Sequence, residues 1–196
     1  MTRSDLVIKR SFDLFFSCIG LLVLWPVIGL TIIIARLDTG KSGLFSQTRL
    51  GQRAKPFTIY KIRTMNSDGG STITAGNDER VTAIGAKLRK WKLDELPQLY
   101  NVMCGDMSFV GPRPDVAGYL DQLGPEWQDV LDLRPGITGP ATLFFRNEEE
   151  LLAGADDPKN YNDNVIWPKK LKINRQYAQS WSFLSDLHYL LQTVVK

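Results

Sequence analysis

The stretch Trp91-Lys-Leu-Asp-Glu-Leu-Pro-Gln-Leu-Tyr100 places two adjacent carboxylates, Asp94 and Glu95, shortly before a proline. Pro97 is tolerated in the first turn of a helix, where its missing N–H would have no partner, but it is damaging in a helix interior. Apolar side chains then follow at helical spacing, namely Leu96, Leu99, Tyr100 and Met103. The stretch therefore predicts a helix that begins near Asp94, with this aspartate as its N-cap.

Two interpretations of the carboxylate pair follow from this prediction. Free N–H groups and the positive end of the helix dipole favour an ionised carboxylate and attract phosphate. Asp94 is therefore a candidate nucleophile toward a phosphate. The alternative is an ordinary capped helix with acidic residues in its first turn, which the stretch taken alone favours.

Composition narrows the chemistry that the rest of the chain can support. The 196 residues suit one domain, or one domain with an anchor. The first 63 residues carry ten basic and three acidic side chains, so this part should prefer an anionic surface, either phospholipid or nucleic acid. His188 is the only histidine, and Cys18 and Cys104 lie far apart. Carboxylates must therefore do any acid–base work, and a metal should be a hard ion such as Mg²⁺.

An apolar run without a charge extends from Leu14 to Ala35 and is long enough to cross a bilayer. Pro26 lies near its centre and predicts a kink. Basic residues flank both ends, whereas a spanning helix has its basic excess on the cytoplasmic side. The pattern favours a re-entrant helix-break-helix hairpin with both ends in the cytoplasm, and the alternative is a kinked single-span anchor.

Residues Gly43 to Met65 read as two short strands around a turn region from Gly51 to Pro56, which predicts a β-hairpin. The second strand would place Lys61 and Arg63 on one face, as a phosphate clamp would require. An exposed basic edge that prevents aggregation is the alternative, and for this pair alone it is favoured.

The segments beyond the hairpin alternate between loops and helices. Asn66 to Arg80 reads as a loop that orders over substrate, and the following basic amphipathic helix suits a membrane surface or a phosphate-rich ligand, or is simply solvated. Two segments rich in turn residues, Gly105 to Pro114 and Arg134 to Pro140, are predicted to be shaped loops. In the first, Arg113 stands between two prolines that restrict its backbone, which helps to aim a guanidinium at phosphate.

Three predictions concern the C-terminal half. Gly118 to Leu133 should be helical, and Asn147 to Tyr161 should be acidic and exposed. Tyr177 to Val195 places five apolar side chains on roughly one helical face, and such a stripe is more often core packing than an interfacial helix; its members are Trp181, Leu184, Leu187, Leu191 and Val194.

An ordered set of motifs gives the chain a family resemblance over about Lys9 to Gly139. The motifs are Lys9-Arg10-x-Phe-Asp13, the apolar run with its central proline, Gln47-x-Arg49-x-Gly51, Pro56-Phe-x-Ile-Tyr-Lys61-x-Arg63-Thr-Met65, Leu93-Asp-Glu-Leu-Pro-Gln-Leu99, Gly105-Asp-Met-Ser-x-Val-Gly-Pro-Arg-Pro114 and Arg134-Pro-Gly-Ile-Thr-Gly139. Each motif is weak, but their joint order is specific. The chain resembles the bacterial sugar transferases known as monotopic phosphoglycosyl transferases.

The resemblance implies a fold and a location. The fold would be α+β and mainly helical, with an N-terminal Pro-kinked re-entrant membrane helix, a small β-hairpin and amphipathic interfacial helices. Residues 1–40 would form the membrane segment and residues 41–196 a single catalytic domain on the cytoplasmic face of the bacterial inner membrane. The family often carries Ser-Pro at the helix break, whereas this chain has Trp25-Pro26. The kink is expected to survive through Pro26.

The resemblance also implies an activity. Such enzymes transfer a phosphosugar from a UDP-sugar to a polyprenyl (undecaprenyl) phosphate and release UMP, by ping-pong covalent catalysis. This is the first membrane step of O-antigen, capsule, exopolysaccharide or glycoprotein biosynthesis. By position, Asp94 is the nucleophile and Glu95 its partner, and both are candidate ligands of Mg²⁺, Asp94 first. Candidate phosphate contacts are Lys61, Arg89 and Arg113, with Arg63 weaker.

The implied partners are therefore a UDP-sugar, a polyprenyl phosphate and inner-membrane phospholipid, with a homodimer plausible and no nucleic acid. Two other functions stay open at this stage. One is an anchored adaptor whose basic loops bind nucleic acid or lipid, and the other is a phosphohydrolase that uses the same carboxylate with water as acceptor. The sequence has no readable code for the sugar.

Overall fold

A computed structural model describes residues 1–67, 78–115, 118–120 and 123–195 of the chain. The fold is mainly helical, as predicted, and the described residues contain two short pairs of strands. Its helices are α1 (Arg3–Thr39), α2 (Ala83–Lys90), α3 (Gln98–Cys104), α4 (Gln128–Leu131), α5 (Pro140–Phe144), α6 (Glu148–Ala153), α7 (Pro158–Tyr161), α8 (Trp167–Gln179) and α9 (Phe183–Val194). Its strands are β1 (Leu44–Leu50), β2 (Pro56–Ile62), β3 (Ser108–Val110) and β4 (Gly136–Thr138).

Helix α1 contains the whole apolar run and is continuous from Arg3 to Thr39. A capping box of Thr2 with Asp5 begins it, and Gly40 ends it in the left-handed conformation with a φ of 67°. Pro26 lies inside the helix, and Trp25 beside it is 67% exposed. The secondary structure is continuous across Pro26, and a bend at that point stays a prediction.

The N-terminal part of α1 is fastened to the rest of the fold by polar contacts. The Arg10 guanidinium donates to the carbonyl oxygens of Val102 and Met103, at 2.6 and 2.8 Å, and so covers the C-terminal end of α3. The buried Asp13 accepts from the backbone N–H of Phe109 in β3 at 3.1 Å.

The C-terminal part of α1 contacts the same folded body at a second place. Ala35, fully buried, packs with Ile62 of β2 and Leu88 of α2. The hydroxyl of Thr82 donates to the carboxylate of Asp38 at 2.5 Å. Both ends of the helix are therefore held by one body, while much of the apolar surface between them is exposed.

Strands β1 and β2 form the predicted hairpin and pair antiparallel from Leu44 opposite Ile62 to Leu50 opposite Pro56. The buried side chain of Asn101 fastens this hairpin to α3. Its amide donates to the carbonyl of Thr58 at 2.7 Å, and its oxygen accepts from the N–H of Tyr60 at 3.2 Å. Asn101 therefore joins α3 and the hairpin into one unit.

The prediction that Gly105 to Pro114 and Arg134 to Pro140 are loops is wrong in one respect, since each segment contains a short strand. β3 and β4 pair in parallel, with Ser108 opposite Gly136 and Val110 opposite Thr138. The pairing depends on glycine, because a Cβ on Gly136 would lie 2.2 Å from the backbone nitrogen of Gly111. The residues that indicated a loop thus serve a close approach of two backbones.

The C-terminal segment differs from its prediction in two ways. The chain leaves the helix after Gln179, and α9 begins again at Phe183 with Ser182 as its N-cap. The predicted stripe is not core packing along its length, since Leu184, Leu191 and Val194 are 76%, 64% and 82% exposed. The inward side of α9 is mixed: Tyr189 and Leu190 pack against the core cluster that contains Val110, and the buried Asp186 accepts from Lys9, Tyr177 and Trp181.

Two other predicted segments lie partly outside the described residues. Of the loop from Asn66 to Arg80, residues 68–77 are not described. The predicted helix from Gly118 to Leu133 is confirmed only toward its end, as a 3₁₀ turn at Pro125–Trp127 followed by α4. Asn147 to Tyr161 is largely exposed, as predicted, although Leu152 is buried in a cluster with Phe145 and Ile166.

Candidate active site

Asp94 and Glu95 lie in a 3₁₀ turn, Leu93–Glu95, and not at the first position of α3. The helix begins three residues after Glu95, at Gln98, with Pro97 preceding it. Lys92 precedes the turn in the left-handed conformation, with a φ of 56°. The predicted N-cap role of Asp94 is therefore wrong, because the chain turns sharply before the helix starts. Each of the two residues is only 8% exposed.

Glu95 is held by two cations from separate elements. The ammonium of Lys61, near the end of β2, lies 3.2 Å from its Oε1, and the guanidinium of Arg113 lies 3.3 Å from the same atom. Burial opposes ionisation of Glu95, but Lys61 and Arg113 outweigh it and lower its pKa to about 2. Glu95 is therefore an ionised anchor for the two cations at working pH.

Asp94 has the opposite setting although it is the neighbouring residue. Its Oδ1 is buried and has no hydrogen-bond partner among the described residues. Burial raises the pKa of Asp94, and the charge of Glu95 raises it further, while Lys61, Lys92 and Arg89 act to lower it. A buried carboxylate oxygen that is not engaged by the protein is available to a metal ion or to an electrophile.

The other predicted phosphate contacts are placed as follows. Arg89, in the last turn of α2, donates from Nε to the hydroxyl of Thr64 at 2.9 Å and is close enough to Asp94 to stabilise its charge. Arg63 follows β2, donates to the carbonyl of Ser42 at 2.7 Å and lies over the ring of Phe45. Lys61, Arg89 and Arg113 thus surround the carboxylate pair, whereas the phosphate role of Arg63 stays a prediction.

The position of Arg113 depends on the β3–β4 pair. Gly111, just before Pro112, donates to the carbonyl of Thr138 at 2.9 Å, and Gly136 donates to that of Pro112 at 2.7 Å. The segment that carries Arg113 is therefore fixed by its hydrogen bonds to the neighbouring strand β4.

Residues that sequence reasoning did not single out also line this site. A small cavity is lined by Arg49 and Gln98 together with Lys61 and Arg113, and the side-chain nitrogen of Gln98 is buried without a partner among the described residues. Asp115 lies near Arg49 and Arg113, and burial raises its pKa to about 7 although Lys170, Arg49 and Arg113 act against it. The position of Arg49 and Gln98 within ordered motifs was the only signal in the sequence.

The donor set fits Mg²⁺ only with help from substrate. Among the described residues no group of three or more histidine, cysteine, aspartate or glutamate side chains comes together. The free Oδ1 of Asp94 suits a hard ion that takes one or two protein carboxylates and completes its shell with phosphate and water. Glu95 is the weaker ligand, since its Oε1 already accepts from Lys61 and Arg113.

Comparison with known proteins shows the family. The family model described as bacterial sugar transferase matches residues 4–196. A protein named "Uncharacterized sugar transferase EpsL" from Bacillus subtilis (strain 168) is 38% identical over 192 residues, which cover 97% of this chain and 87% of that protein. "Exopolysaccharide production protein PSS" from Rhizobium leguminosarum bv. phaseoli is 36% identical over 201 residues, covering 97% and 95% of the two chains.

A third relative has a more specific name. "UDP-glucose:undecaprenyl-phosphate glucose-1-phosphate transferase" from Caulobacter vibrioides (strain ATCC 19089 / CIP 103742 / CB 15) is 34% identical over 192 residues, covering 95% of this chain and 68% of that protein. The long apolar helix α1 suggests association with a membrane, and the comparisons identify an enzyme of sugar-phosphate transfer. The chain belongs to the bacterial sugar transferase family, and its resemblance to the phosphoglycosyl transferases is confirmed.

Proposed function

We propose that this enzyme transfers a phosphosugar from a UDP-sugar to a polyprenyl phosphate through a covalent intermediate on Asp94. The observation that carries the proposal is the contrast within the carboxylate pair. Glu95 is engaged by Lys61 and Arg113, whereas the adjacent Asp94 has a buried and unengaged oxygen. The names of relatives support the substrate classes, since the Caulobacter protein is named for UDP-glucose and undecaprenyl phosphate.

The reaction proceeds in two displacements. In the first, Asp94 Oδ1 attacks the phosphorus that bears the sugar, the bond from that phosphorus to the bridging oxygen breaks, and UMP leaves. In the second, a phosphate oxygen of the polyprenyl phosphate attacks the same phosphorus, and the carboxylate of Asp94 leaves. Atoms and charge balance without a proton transfer, which suits a site that has no histidine. Splitting one transfer into two at a single carboxylate is covalent catalysis of an ordinary kind.

The cations around the carboxylate pair would position the UDP-sugar. Arg113 and Lys61 present donors on one side of the pair, and Arg89 lies near Asp94, so a pyrophosphate could bind while the nucleophile stays close. Mg²⁺, when bound at Asp94 and the phosphates, would reduce the repulsion between carboxylate and pyrophosphate. The bound phosphates and the cation would also favour the ionised form of Asp94, which burial alone disfavours.

The membrane part of the proposal is a re-entrant α1 that enters and leaves on the cytoplasmic side of the inner membrane. Within the described residues, α1 is the only helix long and apolar enough to cross a bilayer. Its two ends contact one folded body, through Arg10 and Asp13 at one end and Ala35 and Asp38 at the other. A straight helix would separate Arg10 from Ala35 by about 37 Å, more than the hydrocarbon thickness. If α1 crossed the bilayer, the polar folded body that contacts both of its ends would therefore have to cross it as well.

Exposed apolar surface on α9 would extend this membrane face. Phe12 of α1 contacts Phe183 at the start of α9, with ring centroids 5.3 Å apart, so the two helices are neighbours. Leu184, Leu191 and Val194 would then meet phospholipid as part of an amphipathic interfacial helix. This arrangement would hold Asp94 where a soluble nucleotide sugar and a lipid phosphate can both reach it.

Release of UMP tests the proposed function. Purified protein in detergent, with Mg²⁺ and polyprenyl phosphate, is given a panel of UDP-sugars, and UMP and polyprenyl diphosphosugar are both quantified. We expect the two products in equal amounts from at least one donor, and no turnover with Asp94→Asn or without Mg²⁺. Free sugar phosphate in place of the lipid product would indicate a phosphohydrolase, and turnover by Asp94→Asn would exclude the assigned nucleophile.

A further inference from the structure

The two arginines beside the carboxylate pair also interact electrostatically with carboxylates from α6. Arg89 Nη1 lies 3.9 Å from Glu149 Oε1, and the same arginine stabilises the charge of Asp94. Arg113 lies 3.3 Å from Glu95 Oε1, and the negative charge of Glu95, helped by that of Glu148, raises the pKa of Arg113. Each arginine therefore interacts with one carboxylate of the catalytic pair and with one of the first turn of α6.

Glu148 is fixed in place. The ammonium of Lys170 in α8 lies 2.7 Å from each of its two oxygens, and the side chains of Glu148 and Lys170 are only 28% and 15% exposed. Leu152, on the next turn of α6, is 2% exposed in the cluster with Phe145 and Ile166. A side chain held in this way differs from a solvated glutamate, which would sample many rotamers.

The carboxylate of Glu148 is suited to uncharged hydrogen-bond donors. A carboxylate has about four lone-pair positions, and Lys170 engages one on each oxygen, so each oxygen can still accept a further hydrogen bond. Phosphate would be repelled by it. The groups attached to the phosphates of a nucleotide sugar are a hexose and a ribose, and both present hydroxyl groups that donate to carboxylates.

We propose that Glu148, positioned by Lys170 beside Arg113, accepts hydrogen bonds from hydroxyl groups of the nucleotide sugar and thereby determines which donor is used. This inference rests on the proposed function, whose donor it characterises. The hydroxyl groups belong either to the transferred hexose or to the ribose. UMP carries the ribose but no hexose, so UMP would contact Glu148 only in the second case.

A simpler role for Glu148 would be to join α6 to α8 through Lys170. The double substitution Glu148→Lys with Lys170→Glu separates the two roles, because it keeps an ion pair between the helices but moves the acceptor. If the pair is purely structural, the double variant should regain the activity and donor preference that Glu148→Lys alone loses. The proposed role predicts that melting temperature recovers while donor preference does not.

The test uses the full chain in detergent with Mg²⁺ and polyprenyl phosphate, and compares wild type, Glu148→Gln and the control Glu150→Gln. Glu150 is exposed on the same turn of α6 and lines a separate cleft. UMP release is measured with UDP-glucose, UDP-galactose and UDP-N-acetylglucosamine, together with inhibition by UMP. We expect Glu148→Gln to lower kcat/KM for the preferred donor by about tenfold to a hundredfold. The control should match wild type.

The pattern of these effects identifies the source of the hydroxyl groups. A changed preference among the three donors with unchanged UMP inhibition indicates the hexose, and UMP inhibition weakened by the same factor indicates the ribose. Wild-type values for Glu148→Gln with every donor would overturn the inference while leaving the proposed function intact. Absence of UMP release by wild type itself would instead refute the proposed function.

Discussion

Asp94 and Glu95 share one turn of chain but differ in what surrounds their oxygens. Lys61 and Arg113 converge on Glu95, which keeps its pKa near 2, whereas burial raises the pKa of Asp94 and leaves its Oδ1 unengaged. Two carboxylates whose surroundings move their pKa values apart are suited to different tasks. Glu95 organises cations, and Asp94 is left free to bind or attack.

Asp115 gives a pH-dependent prediction at the residue scale. Burial raises its pKa to about 7, against Arg49 of β1, Arg113 and Lys170, while Glu148 adds to the rise. Between about pH 4 and pH 7 the folded chain therefore keeps a proton that the unfolded chain has lost, so the contribution of this group to stability falls as pH rises. Asp115→Asn should flatten the pH dependence of the free energy of unfolding in this range.

Thermal melting in detergent at several pH values measures this effect. The melting temperature of Asp115→Asn relative to wild type should increase as the pH is raised from 4 to above 7. A constant difference between the two proteins over this range would show that Asp115 does not retain its proton on folding.

At the scale of elements, segments with a clear periodicity could be predicted from sequence. The apolar run gave α1, and alternation around a turn gave the β1–β2 hairpin. The β3–β4 pair could not be predicted in this way, because each strand has three residues and the pairing depends on contacts between glycines far apart in the chain. The start of α3 was misplaced because no residue type announces the left-handed Lys92 before the 3₁₀ turn.

The residues of the site also divide into those that local sequence patterns could identify and those that depend on tertiary packing. Lys61, Arg89 and Arg113 were identified because each belongs to a motif or a basic pattern, and the structure places them around the carboxylate pair. Glu148 comes from a segment that showed only acidic character, and no prediction was made from sequence for the segment that contains Lys170. Their approach to Arg113 depends on how α6 and α8 pack, which is a tertiary property.

Gly136→Ala tests the link between the β3–β4 pair and the site. The added Cβ would lie 2.2 Å from the nitrogen of Gly111, so the strands must separate and Arg113 must move. We expect a loss of about 2 kcal/mol or more in the free energy of unfolding, and a larger loss of kcat than stability alone explains.

Gly154→Ala is a matched control, since its Cβ would meet no atom closer than 3.6 Å. Denaturant unfolding and UMP release by the two variants make the comparison. Full activity of Gly136→Ala in its folded state would show that the strand pair does not position Arg113.

At the scale of the whole molecule, the proposed re-entrant helix requires both ends of α1 on one side of the membrane. Arg3 and Lys41 are exposed positions at these ends. Because Cys18 and Cys104 are exposed, a variant lacking both is the starting point for single cysteines at either position. In oriented vesicles, a membrane-impermeant maleimide should label Arg3→Cys and Lys41→Cys from the same side. Labelling from opposite sides would contradict the re-entrant helix and support a single span.

The proposed mechanism requires that Asp94 forms a bond to the phosphosugar before any lipid acceptor is engaged. It is tested most directly by mixing enzyme with Mg²⁺ and excess donor sugar in the absence of polyprenyl phosphate, followed by acid quench, UMP quantification and peptide mass spectrometry. A covalent intermediate on Asp94 predicts a burst of about one UMP per active site and a phosphosugar mass on the peptide that contains Asp94, both absent in Asp94→Asn. UMP release that requires polyprenyl phosphate, with no modified peptide, would contradict it.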